Sequence, residues 1–284
     1  MIADILKLIR WKNLVMIVLT QTLCYFVLII HGHLEYHTVR LYYLIAGTVL
    51  IAAAGYIIND YFDIETDKIN RPDDVVIGKR ISQLTALIAY ILINIVALVI
   101  GAFTNPLVWV FFSLSILALF IYSYRLKKMP LAGNLLVAGL MSLTILILWF
   151  LQAGVDKIVF IFYIIFAFLS GLIREILKDA EDIEGDRSSG YLTFPVRFGL
   201  GMTEFLLFFI LLVFSILLVI FGWSNFIEGK WYVSVYLFIA VFLPVIYLFP
   251  KVFKSEDKTE FTKLTRIVKW IMVSGILSVI LFLI

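Results

Sequence analysis

The chain has 284 residues, 63% of them hydrophobic and only 15% charged, with a formal net charge of +3. Soluble domains average roughly 45–50% apolar and about 25% charged residues, so a mean hydropathy of +1.07 excludes a water-soluble fold. With so little net charge nothing points to a nucleic-acid partner, and the single cysteine, Cys24, excludes an intrachain disulfide and reads as a small buried hydrophobe.

Apolar runs of spanning length, roughly 17–25 residues as helix, fall at about 14–31, 41–60, 82–104, 107–124, 131–153, 158–178, 201–221, 231–250 and 266–284. Only helices or closed barrels satisfy their backbone in lipid, and runs this continuous are not barrel strands. The predicted fold is therefore an all-α integral membrane protein of nine transmembrane helices in a single domain, 1–284. Lys7, Arg10 and Lys12 precede the first run like a signal-peptide n-region. No small-residue cleavage site follows and the run is long enough to span, so it is read as a retained helix. Runs three and four meet at Asn105-Pro106, a tight turn.

All but three of the 23 lysines and arginines lie in 1–13, 61–81, 125–130, 174–200 and 251–269; Arg40, Lys157 and Lys230 are the exceptions. The positive-inside rule then puts the N-terminus in the cytoplasm and the C-terminus on the opposite side of a cell (inner or plasma) membrane. The segment HGHLEYH holds His31, His33 and His37 around Glu35 on that opposite side and reads as an exposed loop rather than a metal site.

The sequence repeats itself. DYFDIETD places Asp60, Asp63 and Asp67 at i, i+3 and i+7; DAEDIEGD places Asp179, Asp182 and Asp186 at the same spacing, 119 residues later. Asn13 at the start of run one has a counterpart in Asn134 at the start of run five. This predicts two pseudo-repeated four-helix halves, about 1–130 and 131–250, plus a ninth helix at about 266–284, with one cytoplasm-facing site between the halves. On a helix each octet offers three carboxylates on one face. Clustered carboxylates repel and raise one another's pKa, which a hard divalent cation relieves; Mg2+ combines a few carboxylates with waters and phosphate oxygens. Basic residues on the same side, among them Arg71, Lys79, Arg80, Arg125, Lys127, Lys128, Arg174 and Lys178, suit a diphosphate, although the positive-inside rule alone accounts for any single one.

NDYFDIETD followed by NRPD, YSYRLKK with PLAGNL, and REILKDAEDIEGD together resemble the UbiA superfamily of intramembrane prenyltransferases over nearly the whole chain. The resemblance implies that Asn59, Asp60, Asp63 and Asp67, with Asp179, Asp182 and Asp186, hold Mg2+ and a prenyl diphosphate. The six aspartates are then the metal ligands and catalytic groups, with Arg71, Tyr124, Lys127 and Lys128 as diphosphate contacts. Asn13, in RWKN, occupies the family's N-terminal Arg-Pro-x-Asn position, with Trp11 in place of proline. Asp74 stands where relatives often carry arginine, leaving Lys79 and Arg80 to make up the charge.

The chemistry implied is ionisation of an allylic diphosphate, shielding of the cation by aromatic faces, and attack by an acceptor. Tyr25, Tyr56, Tyr122 and Trp149 are the aromatic candidates. Arg174, Glu175 and Lys178 ahead of the second octet look most like the archaeal-type members that make digeranylgeranylglyceryl phosphate by geranylgeranyl transfer to geranylgeranylglyceryl phosphate. An aromatic acceptor of quinone biosynthesis is the alternative. A cation-coupled transporter is the rival from another class, disfavoured because the charges cluster at one end of the spans. RSSGYLTFPVRFG, after the second octet, predicts a cap over the site. The expected partners are a prenyl diphosphate, a membrane-associated acceptor and the bilayer, with no protein partner indicated.

Overall fold

The computed structural model describes residues 2–29, 38–151, 157–255 and 257–284; HGHLEYH lies outside them. Among the described residues nine helices are long and apolar enough to cross a membrane, as the runs predict, and no β-strand is formed. They are α2 (Trp11–Ile29), α3 (Thr38–Phe62), α5 (Gln83–Ala102), α6 (Pro106–Tyr124), α7 (Ala132–Phe150), α8 (Lys157–Glu181), α10 (Phe194–Ile227), α11 (Trp231–Val252) and α12 (Lys258–Leu283). Three short helices lie outside the spans: α1 (Ile2–Leu8), α4 (Ile64–Asn70) and α9 (Ile183–Ser188).

Helix ends follow local chemistry. Asn105 caps α6 by accepting from the Leu107 amide, with Pro106 at the first helical position, so runs three and four are separate spans. Ser82 caps α5 and Asp257 caps α12 through their side-chain oxygens. The predicted run 201–221 is the middle of the 34-residue α10, which Gly199 (φ 81°) interrupts near its start.

The most buried span is α8, which packs against α7, α10 and α12. One end of the bundle is tied together by polar contacts. Arg10 meets Asp60, Lys127 meets Asp63, Arg71 meets Asp182, and Lys258 donates to the Asn70 carbonyl. With Lys7 donating to the Asp73 carbonyl, these bonds join all five cation-rich segments of the sequence.

Two backbone features recur at matching places. Asp63 and Asp182, the middle aspartates of the two octets, are both non-helical (φ −97°, ψ 6° and φ −99°, ψ 11°) and end α3 and α8. Each octet is therefore a helix end, a break and a short helix rather than the single helical face the spacing predicts. Amide bonds from Asp63 to the Asn59 carbonyl and from Asp182 to the Lys178 carbonyl carry the chain through each break. Among described non-glycine residues, only Arg10 (φ 50°) and Leu131 (φ 60°) have left-handed backbone. Each directly precedes a span, three residues before Asn13 and Asn134.

Candidate active site

The two breaks bring the octets together around a small polar cavity of about 50 Å³. Asp63 and Asp67 line it from the first octet, and Asp179, Asp182 and Asp186 from the second. Asn70, at the end of α4, crosses between them: its carboxamide donates to the Asp182 carbonyl (3.3 Å) and accepts from the Gly185 amide (3.1 Å). A Cβ at Gly185 would overlap the Asn70 side chain, so this crossing requires glycine. Thr66 donates to Ser189 at 2.8 Å beside it.

Five of the six aspartates have a side-chain partner of their own. Asp60 pairs with Arg10 (2.9 Å), Asp63 with Lys127 (2.6 Å), and Asp182 with Arg71. Asp179 accepts from Asn134 (2.8 Å) and Asp186 from Thr193 (3.2 Å). Asp60 does not line the small cavity. Among the described residues no group of three or more His, Cys, Asp or Glu is drawn close enough to hold a metal by itself. Five carboxylates are thus distributed around a polar space rather than gathered in a cage, with Asp60 outside it on Arg10.

The electrostatics show what that space lacks. Burial first, then Asp63 and Asp60, raises the Asp67 carboxyl to about 6. Burial and then Asp182 raise Asp186 to about 7. Burial also lowers the Lys127 ammonium, against the pull of Asp63. Although burial opposes charge on Arg10 and Arg71, Asp60 and Asp182 outweigh it and hold both guanidinium values above their ordinary level. Two buried oxygens, Asn59 Oδ1 and Asp182 Oδ1, have no hydrogen-bond partner. Carboxylates with raised pKa values and orphaned oxygens around one cavity fit a divalent cation that brings waters and phosphate oxygens.

The small cavity adjoins a chamber of about 760 Å³ whose exposed lining is mainly apolar. Asn59, Tyr122 and Lys178 line both. Met16, Ile17, Cys24, Ile145 and Phe166 carry the chamber along the spans, while Arg10, Asn13, Arg174 and Lys178 stand with its polar lining. Asn13 donates to the Tyr56 hydroxyl at 3.0 Å, and the Arg10 guanidinium lies 4.8 Å from the Tyr56 ring. Arg174 pairs with Glu175 at 2.6 Å. Of the aromatic candidates, Tyr56 and Tyr122 line the chamber. Tyr25 and Trp149 do not, and Trp149 packs on Phe160 instead (5.3 Å).

Tyr124 is not brought to the site. It is 59% exposed and packs on Phe62 and Phe120. Two residues along a helix turn about 200°, so α6 aims Tyr122 inward and Tyr124 away. Lys128 stands beside the cavity with its ammonium 5.1 Å from the Tyr191 ring. Lys79 and Arg80 do not make up for Asp74: Lys79 binds the Pro72 carbonyl, Arg80 pairs with Asp4, and Lys7 takes Asp74.

The segment after the second octet lies across the site. Tyr191 donates to Asp63 (3.2 Å), the Leu192 amide donates to the Lys128 carbonyl (2.9 Å), and Thr193 holds Asp186. Burial, then Asp63, pushes the Tyr191 hydroxyl up to about 12. Tyr191, Thr193, Thr66 and Asn70 carry no periodic signal that the sequence could reveal. Arg10 was legible as one of several cations and as the first residue of RWKN, not as the partner of Asp60.

Residues 18–272 match the UbiA prenyltransferase family. The chain is 39% identical over 166 residues to a digeranylgeranylglyceryl phosphate synthase of Methanoregula boonei, covering 58% of this chain and 59% of that protein. The synthase of the same name from Methanothermobacter thermautotrophicus is 30% identical over 274 residues, covering 93% and 90% of the two chains. A solved digeranylgeranylglyceryl phosphate synthase structure shares the fold with a TM-score of 0.72 at 22% identity, covering 99% and 98%. An Archaeoglobus fulgidus UbiA homologue bound to GPP and Mg2+ matches at 0.66 and 16% identity, covering 97% and 99%.

Proposed function

The chain belongs to the UbiA prenyltransferase family, and from that premise we propose that it transfers a geranylgeranyl group from its diphosphate to the free hydroxyl of geranylgeranylglyceryl phosphate. The observation that carries this reading is the pair of joined cavities. A polar space ringed by five aspartates opens through Asn59, Tyr122 and Lys178 into an apolar chamber. A prenyl diphosphate has that same division, and its reacting carbon belongs at the junction.

Asp63, Asp67, Asp179, Asp182 and Asp186 would hold Mg2+, with Asp60 behind them on Arg10. The metal supplies positive charge to the departing diphosphate. Lys127 and Arg71, already paired with Asp63 and Asp182, lie where they add to that charge, and Lys128 is near by. Tyr122 and Tyr56, which line the chamber, are the aromatic groups placed to stabilise the cation that forms as the C–O bond breaks with its electron pair on the diphosphate. The acceptor oxygen bonds to the allylic carbon and its hydroxyl proton is released. Tyr191 and Thr193 line the cavity from the segment after the second octet and would limit water there.

Matched breaks at Asp63 and Asp182, and matched left-handed residues at Arg10 and Leu131, support two duplicated halves with the site between them. The cation-rich end of the bundle supports a site facing the cytoplasm. A transporter finds no support in a family of prenyltransferases.

The test is a product assay with Mg2+ and geranylgeranyl diphosphate, offering geranylgeranylglyceryl phosphate and 4-hydroxybenzoate in parallel, with Asp63→Ala as control. A diether product lost in the variant is expected. Prenylated benzoate alone would move the protein to the aromatic-acceptor branch, and equal turnover by Asp63→Ala would defeat the assignment of that carboxylate.

A further inference from the structure

We propose that Lys178, Arg266 and Lys269 form a second anion subsite, distinct from the aspartate cavity, that binds the phosphate monoester of an amphiphilic acceptor. The inference rests on the prenyl-transfer reading above and deepens it. All three line the larger chamber, whereas of the three only Lys178 also reaches the aspartate cavity. Arg266 and Lys269 lie one turn apart on α12, which packs against α8, the helix carrying Lys178. Spacing of three residues keeps Arg266 and Lys269 on one face.

Placement and charge balance together set these residues apart. Of the other cations in the chamber lining, Arg10 is matched by Asp60, Lys7 by Asp74 and Arg174 by Glu175, while Lys12, outside the α8–α12 pair, lies over the Trp11 ring (5.9 Å). Among the described residues Lys178, Arg266 and Lys269 form no ion pair, although they share the lining with a paired glutamate. The positive-inside rule accounts for cations at this end of the protein. It does not require three of them to line one largely apolar chamber from two packed helices, Arg266 and Lys269 exposed and Lys178 half-buried where the chamber meets the aspartate cavity.

A phosphate monoester matches them. It carries about −1.5 to −2 charge at pH 7 and three acceptor oxygens, and arginine offers a fork for two of those oxygens. The diphosphate of the donor has its own surroundings across the junction, so the second anion belongs to the other substrate. The apolar lining calls for a lipid tail on that molecule, and Lys178 at the junction brings its head close to the reacting carbon.

The experiment uses the full chain in neutral-lipid nanodiscs with Mg2+ and geranylgeranyl diphosphate. Geranylgeranylglyceryl phosphate is compared with its dephosphorylated alcohol in wild type, Arg266→Gln, Lys269→Gln and the double variant. Wild type should prefer the phosphate. Each substitution should raise the KM for that acceptor about 10–100-fold, the range for losing one charged hydrogen bond. The donor KM and turnover of the alcohol should stay at wild-type values, which also establishes folding, and Arg266→Lys should recover part of the loss. Titration of the phosphate acceptor without donor reads the subsite directly, so a failed transfer reaction is told apart from a failed phosphate site. Equal use of both acceptors by wild type, or an unchanged acceptor KM in the double variant, would overturn the proposal. So would variants that lose only a response to added anionic bilayer lipid, since the cations would then serve headgroups.

Discussion

Replacing Lys127 with methionine keeps most of the side-chain volume and removes its charge from an enclosed ion pair at the site. Lys127 and Asp63 are 2.6 Å apart with side chains only 7% and 14% exposed. At an effective dielectric constant near 20 the gross attraction at that distance is about 6 kcal/mol, most of it offset by the cost of burying both charges. Removing one partner of a buried pair leaves the other uncompensated and costs about 3–5 kcal/mol. Tyr191 still donates to Asp63, so the lower end, about 3 kcal/mol, is expected for protein stripped of divalent cations. Added Mg2+ should recover part of that loss by supplying the missing positive charge. The same deficit applied to transfer predicts a fall of about 10²-fold in kcat/KM for the donor. Denaturant titration with EDTA and with Mg2+, alongside donor kinetics, measures both, and Lys127→Arg should retain most of each. A methionine variant as stable as wild type in EDTA would refute the reasoning, as would a deficit identical in EDTA and Mg2+.

The pH dependence should have an unusual sign. Asp67 and Asp186 titrate at about 6 and about 7, above the ordinary 3.8. The folded protein therefore binds more protons than the unfolded chain between about pH 4 and 7, so metal-free stability falls as pH rises through that window. Because a metal takes the deprotonated carboxylates, Mg2+ affinity should tighten over the same window. Denaturation midpoints and Mg2+ titrations at stepped pH read both effects; a flat profile in EDTA would contradict the burial assigned to these groups. At the crossing of the two octets, Gly185→Ala should overpack Asn70 and cost about 1–3 kcal/mol. Asn70→Ala in the same chain should relieve it, so additive losses in the double variant would show that the two residues do not share that contact.

Much of the fold was legible because its signal is continuous. Nine apolar runs and a one-sided distribution of lysine and arginine need no tertiary knowledge. The spacing of the aspartates also picked out five residues that the structure places around one cavity. It did not reveal the breaks, since i, i+3 and i+7 fit an unbroken helix equally well, and nothing in the identity of Asp63 or Asp182 marks the turn. The site's other members are joined across long separations: Asn70 reaches Gly185, Tyr191 reaches Asp63, and Arg10 reaches Asp60. Those pairings depend on how helices pack, which no local pattern encodes.

The case of Tyr122 and Tyr124 shows how that limit operates. Both sit in YSYRLKK, and motif likeness selects the second. The rotation of α6 selects the first, because Tyr122 lines both cavities while Tyr124 packs outside with Phe62 and Phe120. Gly133 fixes that rotation from the other side. A Cβ there would lie 2.9 Å from Lys127 Cα and 3.0 Å from the Tyr122 ring, so the absent side chain lets α7 close on both residues. The same approach sets Asn134, the next residue, against Asp179. One small residue at the start of α7 thus positions a carboxylate partner, the lysine paired with Asp63 and the ring at the cavity junction together. A motif lists such residues singly; their geometry comes from the packing between them.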